Sequence, residues 1–186
     1  MSSLRISDLA LKISPFLEDL VSRKNASKLT VATYRQDVQQ FVQFAGKAAP
    51  GAALSRLHVR QFLATLAEQH YKPATINRKL ASLRSFFKYL LANNEIDHNP
   101  AANISFRKKP HALPKVLSKG QILQLTHYLE RLQEPADLRD GAIVLLFYAT
   151  GMRLRELTDL QIQDIDLLAQ QISVLGKGGR RRLVPL

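Results

Sequence analysis

Two charged side chains, Arg153 and Glu156, stand three positions apart and follow closely after Gly151. Gly151 permits a sharp turn, after which a charged helix is predicted to begin with Thr150 as its N-cap. An arginine at such a helix start can grip an anion such as a phosphate, because its planar fork and the free backbone N–H groups point the same way. Glu156 could orient the guanidinium from one turn further on. A surface Arg–Glu pair on an ordinary helix is the alternative interpretation.

The elements that must position this pair are predicted from hydrophobic spacing. Residues 142–147 form an apolar run, which predicts a helix that is buried on nearly all sides. Leu154 and Leu157 lie on the predicted inner face of the charged helix that follows. Residues 171–175 alternate and are rich in β-branched side chains, which predicts a strand. Residues 180–186 are predicted to return as the second strand of a hairpin.

The first hundred residues predict four short amphipathic helices and therefore a compact all-α module. The first helix is predicted to open at Ser14-Pro15, and the second to be capped by Thr30. The third is predicted to begin at Ser55 and the fourth near Lys72. Asn99-Pro100 is predicted to end the module.

The fourth predicted helix has one apolar face and one basic, amide-bearing face. Asn and Arg at a helix start can contact base edges, and Lys and Arg further along can neutralise phosphates. A solvated basic face without a partner is the alternative interpretation. The candidate nucleic-acid-binding residues of this helix are Thr75, Asn77, Arg78, Lys79, Arg84 and Lys88.

A basic segment with two prolines, residues 106–116, follows the helical module and is predicted to be an extended linker. Its charge would suit contact with a phosphate backbone, although a plain solvated linker fits the composition equally well. The candidate contact residues are Arg107, Lys108 and Lys109. The predicted domains are therefore an N-terminal helical domain at 1–105, which carries the candidate nucleic-acid-binding helix, and a second domain at 117–186.

The balance of charge limits the class of protein. The chain has 186 residues and a formal net charge of +12 at pH 7, with no cysteine. Such a charge indicates a polyanionic partner, most simply DNA or RNA, although ribosomal and membrane-surface proteins share it. Without cysteine there are no disulfides and no thiolate metal sites. No apolar run reaches membrane-spanning length and no signal-peptide core is present, so the sequence predicts a cytoplasmic protein.

The glycine-rich turn at residues 176–179 does not match a nucleotide-binding loop. The Walker A motif needs a glycine where Gln171 stands and a serine or threonine where Gly178 stands. No His-Glu-x-x-His zinc motif and no paired acid site is present either. The histidines are scattered and are interpreted as solvated or locally bonded: His58, His70, His98, His111 and His127.

Residues 149–157, which read Ala-Thr-Gly-Met-Arg-Leu-Arg-Glu-Leu, resemble the first catalytic box of the tyrosine recombinases, the phage-integrase family. Residues 175–186 resemble the β-hairpin that carries the family's mobile lysine. Residues 30–38 and 77–87 resemble its core-binding domain, and residues 113–118 resemble the junction to its catalytic domain. The resemblance covers nearly the whole chain in the family's order, and it is closest to the Xer-type and integron-type branches.

The resemblance implies a mainly α fold, with an N-terminal four-helix (SAM-like) core-binding domain and then the N-terminal part of an α+β catalytic domain. It implies site-specific recombination or integration of double-stranded DNA through a 3′-phosphotyrosyl link, with no metal or other cofactor. Arg153 matches the family's first catalytic arginine, which stabilises charge on the phosphoryl oxygens. Lys177 matches the hairpin lysine that gives a proton to the leaving 5′ oxygen. Glu156 matches the acidic residue that supports the arginine.

Part of the family's machinery does not occur in this sequence. The His-x-x-Arg of the second box should follow the hairpin, but no histidine here has an arginine three residues later. The nucleophilic tyrosine should come later still, and all five tyrosines lie at or before Tyr148. We therefore expect a truncated recombinase that binds DNA without cleaving it. A non-catalytic DNA-binding regulator and a basic RNA-binding protein are the alternatives.

Truncation also carries physical expectations. The hairpin would present an unpaired edge and the apolar helix would lose part of its cover, so we expect the second module to be poorly stable or prone to aggregation alone. The first module should fold by itself. Full-length members of the family assemble as tetramers on DNA, an assembly that we do not expect this fragment to reach alone.

Overall fold

A computed structural model describes residues 4–23, 25–105, 116–176 and 179–186. The chain divides into a first unit, Met1–His111, and a second unit, Ala112–Leu186. In these described ranges, no helix is long and apolar enough to cross a lipid bilayer.

Four α-helices form most of the first unit, which confirms the predicted helical module. They are α1 (Ile13–Ser22), α2 (Lys28–Ala48), α3 (Arg56–Glu68) and α4 (Pro73–Ala92). A 3-10 helix at Ile6–Lys12 precedes them and buries Ile6 and Leu9. The sequence reading did not predict this element, because seven residues are too few to show a clear helical period.

Buried phenylalanines from all four helices meet at the centre of the first unit. The ring of Phe41 lies edge-on to Phe62 at 5.5 Å and to Phe87 at 5.7 Å between centroids. Phe16 of α1 meets Phe86 of α4 in the same manner at 5.2 Å. Edge-to-face rings add a directional attraction to the burial of apolar area, so the four helices are fixed around one shared core.

Two predicted boundaries of the first unit were wrong. Ser27, not Thr30, is the N-cap of α2, and its hydroxyl accepts a hydrogen bond from the backbone N–H of Thr30 at 3.2 Å. Asn99-Pro100 does not end the module, because the backbone N–H of Ala101 donates to the side chain of Asn99 and turns the chain back. Ile104 is then buried in the same core.

The second unit contains three helices and a small antiparallel sheet. The helices are α5 (Lys119–Leu129), α6 (Pro135–Thr150) and α7 (Leu154–Thr158). A 3-10 turn at Ile162–Asp164 leads into strands in the order β1 (Ile165–Asp166), β2 (Gln171–Leu175) and β3 (Arg181–Pro185). The predicted hairpin is confirmed, and Val174 on β2 lies opposite Arg182 on β3.

The core of the second unit is small. Its buried apolar residues, within the described chain, are Met152, Ile172 and Val174. The prediction that α6 is buried on nearly all sides was wrong, since Gly141 is its one buried residue and Leu145 is 42% exposed. The reason is that α5 and β3, the main neighbours of α6, cover only part of its surface.

The turn between α6 and α7 differs from its prediction in detail. Gly151 ends α6 in the left-handed conformation, with φ of 58°, as expected for a glycine at this position. Thr150 is the last residue of α6, however, and Arg153 occupies the N-cap position of α7. The helix α7 therefore begins three residues later than predicted, which changes the side chains that face the core. Leu154 is therefore exposed, whereas Leu157 packs against the core.

Candidate functional site

The carboxylate of Glu156, on α7, binds two arginines. Arg153 donates its backbone N–H to Oε2 at 2.8 Å and a guanidinium N–H to Oε1 at 2.9 Å. Arg182, on β3, donates two N–H groups, one to each carboxylate oxygen, at 2.8 Å. Each oxygen therefore accepts two hydrogen bonds, which is close to the full capacity of a carboxylate. The side chain is 5% exposed, so this is not an ordinary surface ion pair.

The arginines keep Glu156 ionised. Hydrogen bonds from the Arg182 side chain, and next from the backbone N–H of Arg153, hold the pKa of Glu156 far below its ordinary value, although desolvation acts the other way. The hydrogen bonds to Glu156 in turn raise the pKa of Arg182. At neutral pH the cluster thus holds two positive charges and one negative charge.

Arg153 turns most of its side chain to solvent, with 73% of it exposed. Glu156 binds the guanidinium from one side, so much of the planar fork is accessible to an anion. The backbone N–H of Arg153 is bonded to Glu156, and the expectation that this N–H group would be free to meet an anion was therefore wrong. The structure does bring Arg153 and Glu156 together, as their spacing predicted.

Arg182 was missed by the sequence reasoning, although a signal for it exists. Directly opposed residues of an antiparallel pair point to the same face of the sheet, and Arg182 opposes Val174, which is 1% exposed. An arginine on the core-facing side of a sheet needs an anionic partner. Glu156 is the carboxylate that fills this need.

The hairpin turn begins beside the same carboxylate. A Cβ placed on Gly176 would stand 3.8 Å from Oε1 of Glu156 and 3.3 Å from a guanidinium nitrogen of Arg182. The backbone N–H of Gly176 also donates to the carbonyl of Arg180 at 2.8 Å, which closes the base of the turn. Lys177 is the next residue in the chain, but it lies outside the described residues, and its role stays a prediction.

A second charged cluster lies between α2 and α4 in the first unit. The carboxylate of Asp37 is fully buried and accepts hydrogen bonds from Arg78 at 2.5 Å, Lys79 at 2.9 Å and Ser82 at 2.8 Å. The Arg78 side chain is 43% exposed, so it reaches from this carboxylate to the surface. The buried carboxylate of Asp37 therefore sets the orientation of the Arg78 side chain.

The assignment of Lys79 to an exposed basic face was wrong. Lys79 is 4% exposed and its ammonium group is bonded to Asp37. It stands three residues after Ile76 and four before Leu83, which places it in the inward-facing stripe of α4. The spacing of Lys79 therefore indicated a buried position. Buried lysines are rare, however, so this position could not be predicted without knowing that Asp37 is the partner.

The other candidate residues of α4 occupy different environments. Arg84 donates hydrogen bonds to the carbonyls of Ala101, at 3.1 Å, and Ile104, so it fastens the segment that follows α4. Lys88 is exposed on the same helix. Thr75 and Asn77 are half-buried near the helix start. The linker candidates, namely Arg107, Lys108 and Lys109, lie outside the described residues.

A polar groove of about 390 Å³ lies beside the Asp37 cluster. Three of the predicted contact residues, Thr75, Arg78 and Lys79, line it. The sequence reading missed the glutamines of α2 that form the opposite wall, although their spacing places them on one helix face. They are Gln36, Gln39, Gln40 and Gln43. Amide and guanidinium groups can both hydrogen-bond to base edges, which makes the groove a candidate reading surface.

Two family models match the chain. Residues 13–94 match the phage integrase N-terminal SAM-like domain, and residues 115–186 match the phage integrase family. The tyrosine recombinase XerC of Herpetosiphon aurantiacus is 36% identical over 177 residues, covering 94% of this chain and 58% of the relative. The tyrosine recombinase XerD of Shewanella oneidensis has the same identity and coverage. The chain therefore spans less than two thirds of the length of these relatives.

Solved structures share the fold. XerH site-specific recombinase bound to difH substrate aligns over 100% of this chain and 65% of that chain, with a TM-score of 0.70 and 20% identity. A lambda integrase tetramer bound to a Holliday junction aligns over 95% and 50%, with a TM-score of 0.68 and 19% identity. The predicted fold, a SAM-like four-helix domain followed by the front of an α+β catalytic domain, is thereby confirmed. The chain belongs to the phage integrase family of tyrosine recombinases.

Proposed function

We propose that the protein acts in site-specific DNA recombination. In this proposal residues 1–105 bind double-stranded DNA, residues 106–116 follow the phosphate backbone, and residues 117–186 supply part of a catalytic site. The net charge of +12 supports a DNA partner, as do the names of the relatives and the DNA present in the matching complexes. A protein that recombines DNA in this way would act in the cytoplasm.

The proposed chemistry is phosphoryl transfer. In the complete reaction a tyrosine oxygen, which residues 1–186 do not supply, attacks the phosphorus of a DNA phosphodiester, a phosphotyrosyl bond forms, and the bond to the 5′ oxygen breaks. Arg153 would stabilise the negative charge that grows on the phosphoryl oxygens. Lys177 would give its proton to the departing 5′ oxygen. The observation that carries this proposal is the Glu156 carboxylate, which holds Arg153 and adjoins the residue before Lys177.

Residues 1–186 contain no tyrosine beyond Tyr148, which lies five residues before Arg153. We therefore propose that these residues bind DNA but do not cleave it, and that they do not assemble into a tetramer by themselves. The test is to select duplexes from a randomised pool with this chain, place a nick in them, and examine the complexes on native and denaturing gels. We expect a native mobility shift and no band that survives denaturation.

A protein–DNA band on the denaturing gel would show that one of the five tyrosines acts as a nucleophile after all. Competition between duplex DNA and duplex RNA at one fixed salt concentration tests the choice of nucleic acid, because observed affinities depend steeply on salt. Equal competition by the RNA would favour the RNA-binding alternative.

A further inference from the structure

Glu156 is saturated with hydrogen-bond donors, and Arg182 provides half of them. Two parallel N–H groups from Arg182 reach the two carboxylate oxygens, so the carboxylate plane is aligned with the fork of this arginine. Arg153 uses the remaining acceptor positions. The orientation of Glu156, and through it the place where Arg153 is held, therefore depends on a residue 26 positions further along the chain.

Charge supports the same dependence. With Arg182 present, two arginines share one carboxylate and the cluster keeps a surplus positive charge. Without Arg182, the charge of Glu156 would cancel that of Arg153, and the carboxylate would be free to turn and take both N–H groups of the Arg153 fork. Arg153 would then offer an anion less charge and fewer donors.

We propose that Arg182 is a positioning residue for Arg153, acting through Glu156 and joining Arg153 to the turn that begins at Gly176. This proposal rests on the proposed contact of Arg153 with a phosphate. The bidentate pair ties β3 to α7, and Gly176 lies beside the same pair, since a Cβ on it would stand only 3.3 Å from the Arg182 guanidinium. Because Glu156 binds both arginines, a movement of the hairpin would change the position of the Arg153 side chain.

The test compares substitutions at two neighbouring arginines of β3 in the full chain. Arg182→Met removes the proposed positioning group, and Arg182→Lys restores the charge but not the fork. Arg181→Met is the matched control, because Arg181 pairs with Asp164 at 2.8 Å and with Ser173 rather than with Glu156. The NMR methyl signals of Ile172 and Val174, both buried in the core, report whether each variant keeps its fold.

The readout is the side-chain Nε–Hε NMR signal of Arg153 during titration with inorganic phosphate. In Arg182→Met we expect this signal to move and the phosphate affinity at Arg153 to fall about fivefold or more, because Glu156 is then free to neutralise Arg153 and to occupy both N–H groups of its fork. Arg182→Lys should recover part of the affinity, and Arg181→Met should behave like the wild type. The carboxyl carbon of Glu156 should titrate at higher pH in Arg182→Met alone.

An unchanged Arg153 signal in folded Arg182→Met would overturn the positioning role. If Arg182→Met does not fold, the same decision falls to Arg182→Lys, in which an Arg153 signal identical to that of Arg181→Met would also overturn it. A signal that responds to Arg182→Met but never to phosphate, in any variant, would keep the positioning role and count against the proposed phosphate contact.

Discussion

A single carboxylate on α7 sets both the direction of Arg153 and the net charge around it. Glu156 is held ionised by Arg182 and Arg153, and its four hydrogen bonds leave little freedom to rotate. Asp37 plays a comparable part in the first unit, where it directs Arg78 from a fully buried position. In both units a buried carboxylate thus sets the orientation of an exposed arginine side chain.

The lowered pKa of Glu156 makes the stability of the second unit depend on pH. A carboxyl whose pKa is depressed by folding adds stability above its ordinary pKa of 4.5, and that stability is lost as the pH falls toward the folded value. We expect Glu156→Gln to be less stable than the wild type at pH 6, and the difference to shrink as the pH is lowered to 3. Urea unfolding followed by the methyl signals of Ile172 measures this.

Asp164→Asn is the comparison variant, and its stability difference from the wild type should also shrink as the pH falls. The pKa of Asp164 is also lowered, chiefly by Arg181, but this carboxyl does not touch Arg153. A stability difference between wild type and Glu156→Gln that stays constant from pH 6 to pH 3 would contradict the linkage.

At the scale of elements, α2 and α4 are joined by a buried ion pair as well as by the phenylalanine core. The Asp37 side chain is 0% exposed and that of Lys79 is 5% exposed, and among the described residues Asp37 is the one acid that forms an ion pair with Lys79. Removing one partner of such a pair leaves a buried charge without compensation, which costs far more than the pair itself contributes. The stability of the helix packing therefore depends on Asp37.

We expect Asp37→Ala to lower the free energy of unfolding of the first unit by about 3–5 kcal/mol. The double variant Asp37→Ala with Lys79→Met should regain much of this loss, because no unpaired buried charge then remains. Urea unfolding of the full chain, followed by the methyl signals of the buried Val38, provides the measurement. Arg78→Ala serves as the control, with an expected loss of about 1 kcal/mol or less, since its side chain is partly exposed.

The helices and the hairpin could be predicted from the sequence because their signals are local. Periodic apolar residues locate the four helices, and the alternation at residues 171–175 locates β2. The contacts of Arg182 and Lys79 depend instead on carboxylates 26 and 42 residues away, which no local pattern reports. The exposure of α6 could not be predicted either. An apolar run indicates that a helix has apolar surface to bury, but it does not indicate which neighbouring elements cover that surface.

For the whole molecule, the two units differ in how well they bury apolar surface. The first unit has an extensive core, while the second buries Met152, Ile172 and Val174 among its described residues. An apolar groove of about 310 Å³ lies between α5 and α6. Leu125, Leu129 and Leu145 are among its lining residues. Burial supplies most of the driving force for folding, so the second unit should be the less stable one.

We expect residues 1–105 alone to unfold cooperatively, and the full chain to bind the dye ANS more strongly than residues 1–105, because the dye binds exposed apolar surface. Leu145→Gln should lower the ANS fluorescence of the full chain by about half, since it places an amide in the groove. Leu11→Gln, at an exposed position of the first unit, should leave the fluorescence unchanged. Equal ANS binding by residues 1–105 and by the full chain would contradict this picture.

The burial of Asp37 beneath Arg78 also limits how this protein can be re-engineered. A neutral residue at position 78 should be tolerated because the Arg78 side chain is partly exposed, whereas an acidic residue would place a second negative charge beside the buried Asp37. Libraries that randomise position 78 alone should therefore retain neutral residues, and acidic residues should survive there only with a compensating change at Asp37.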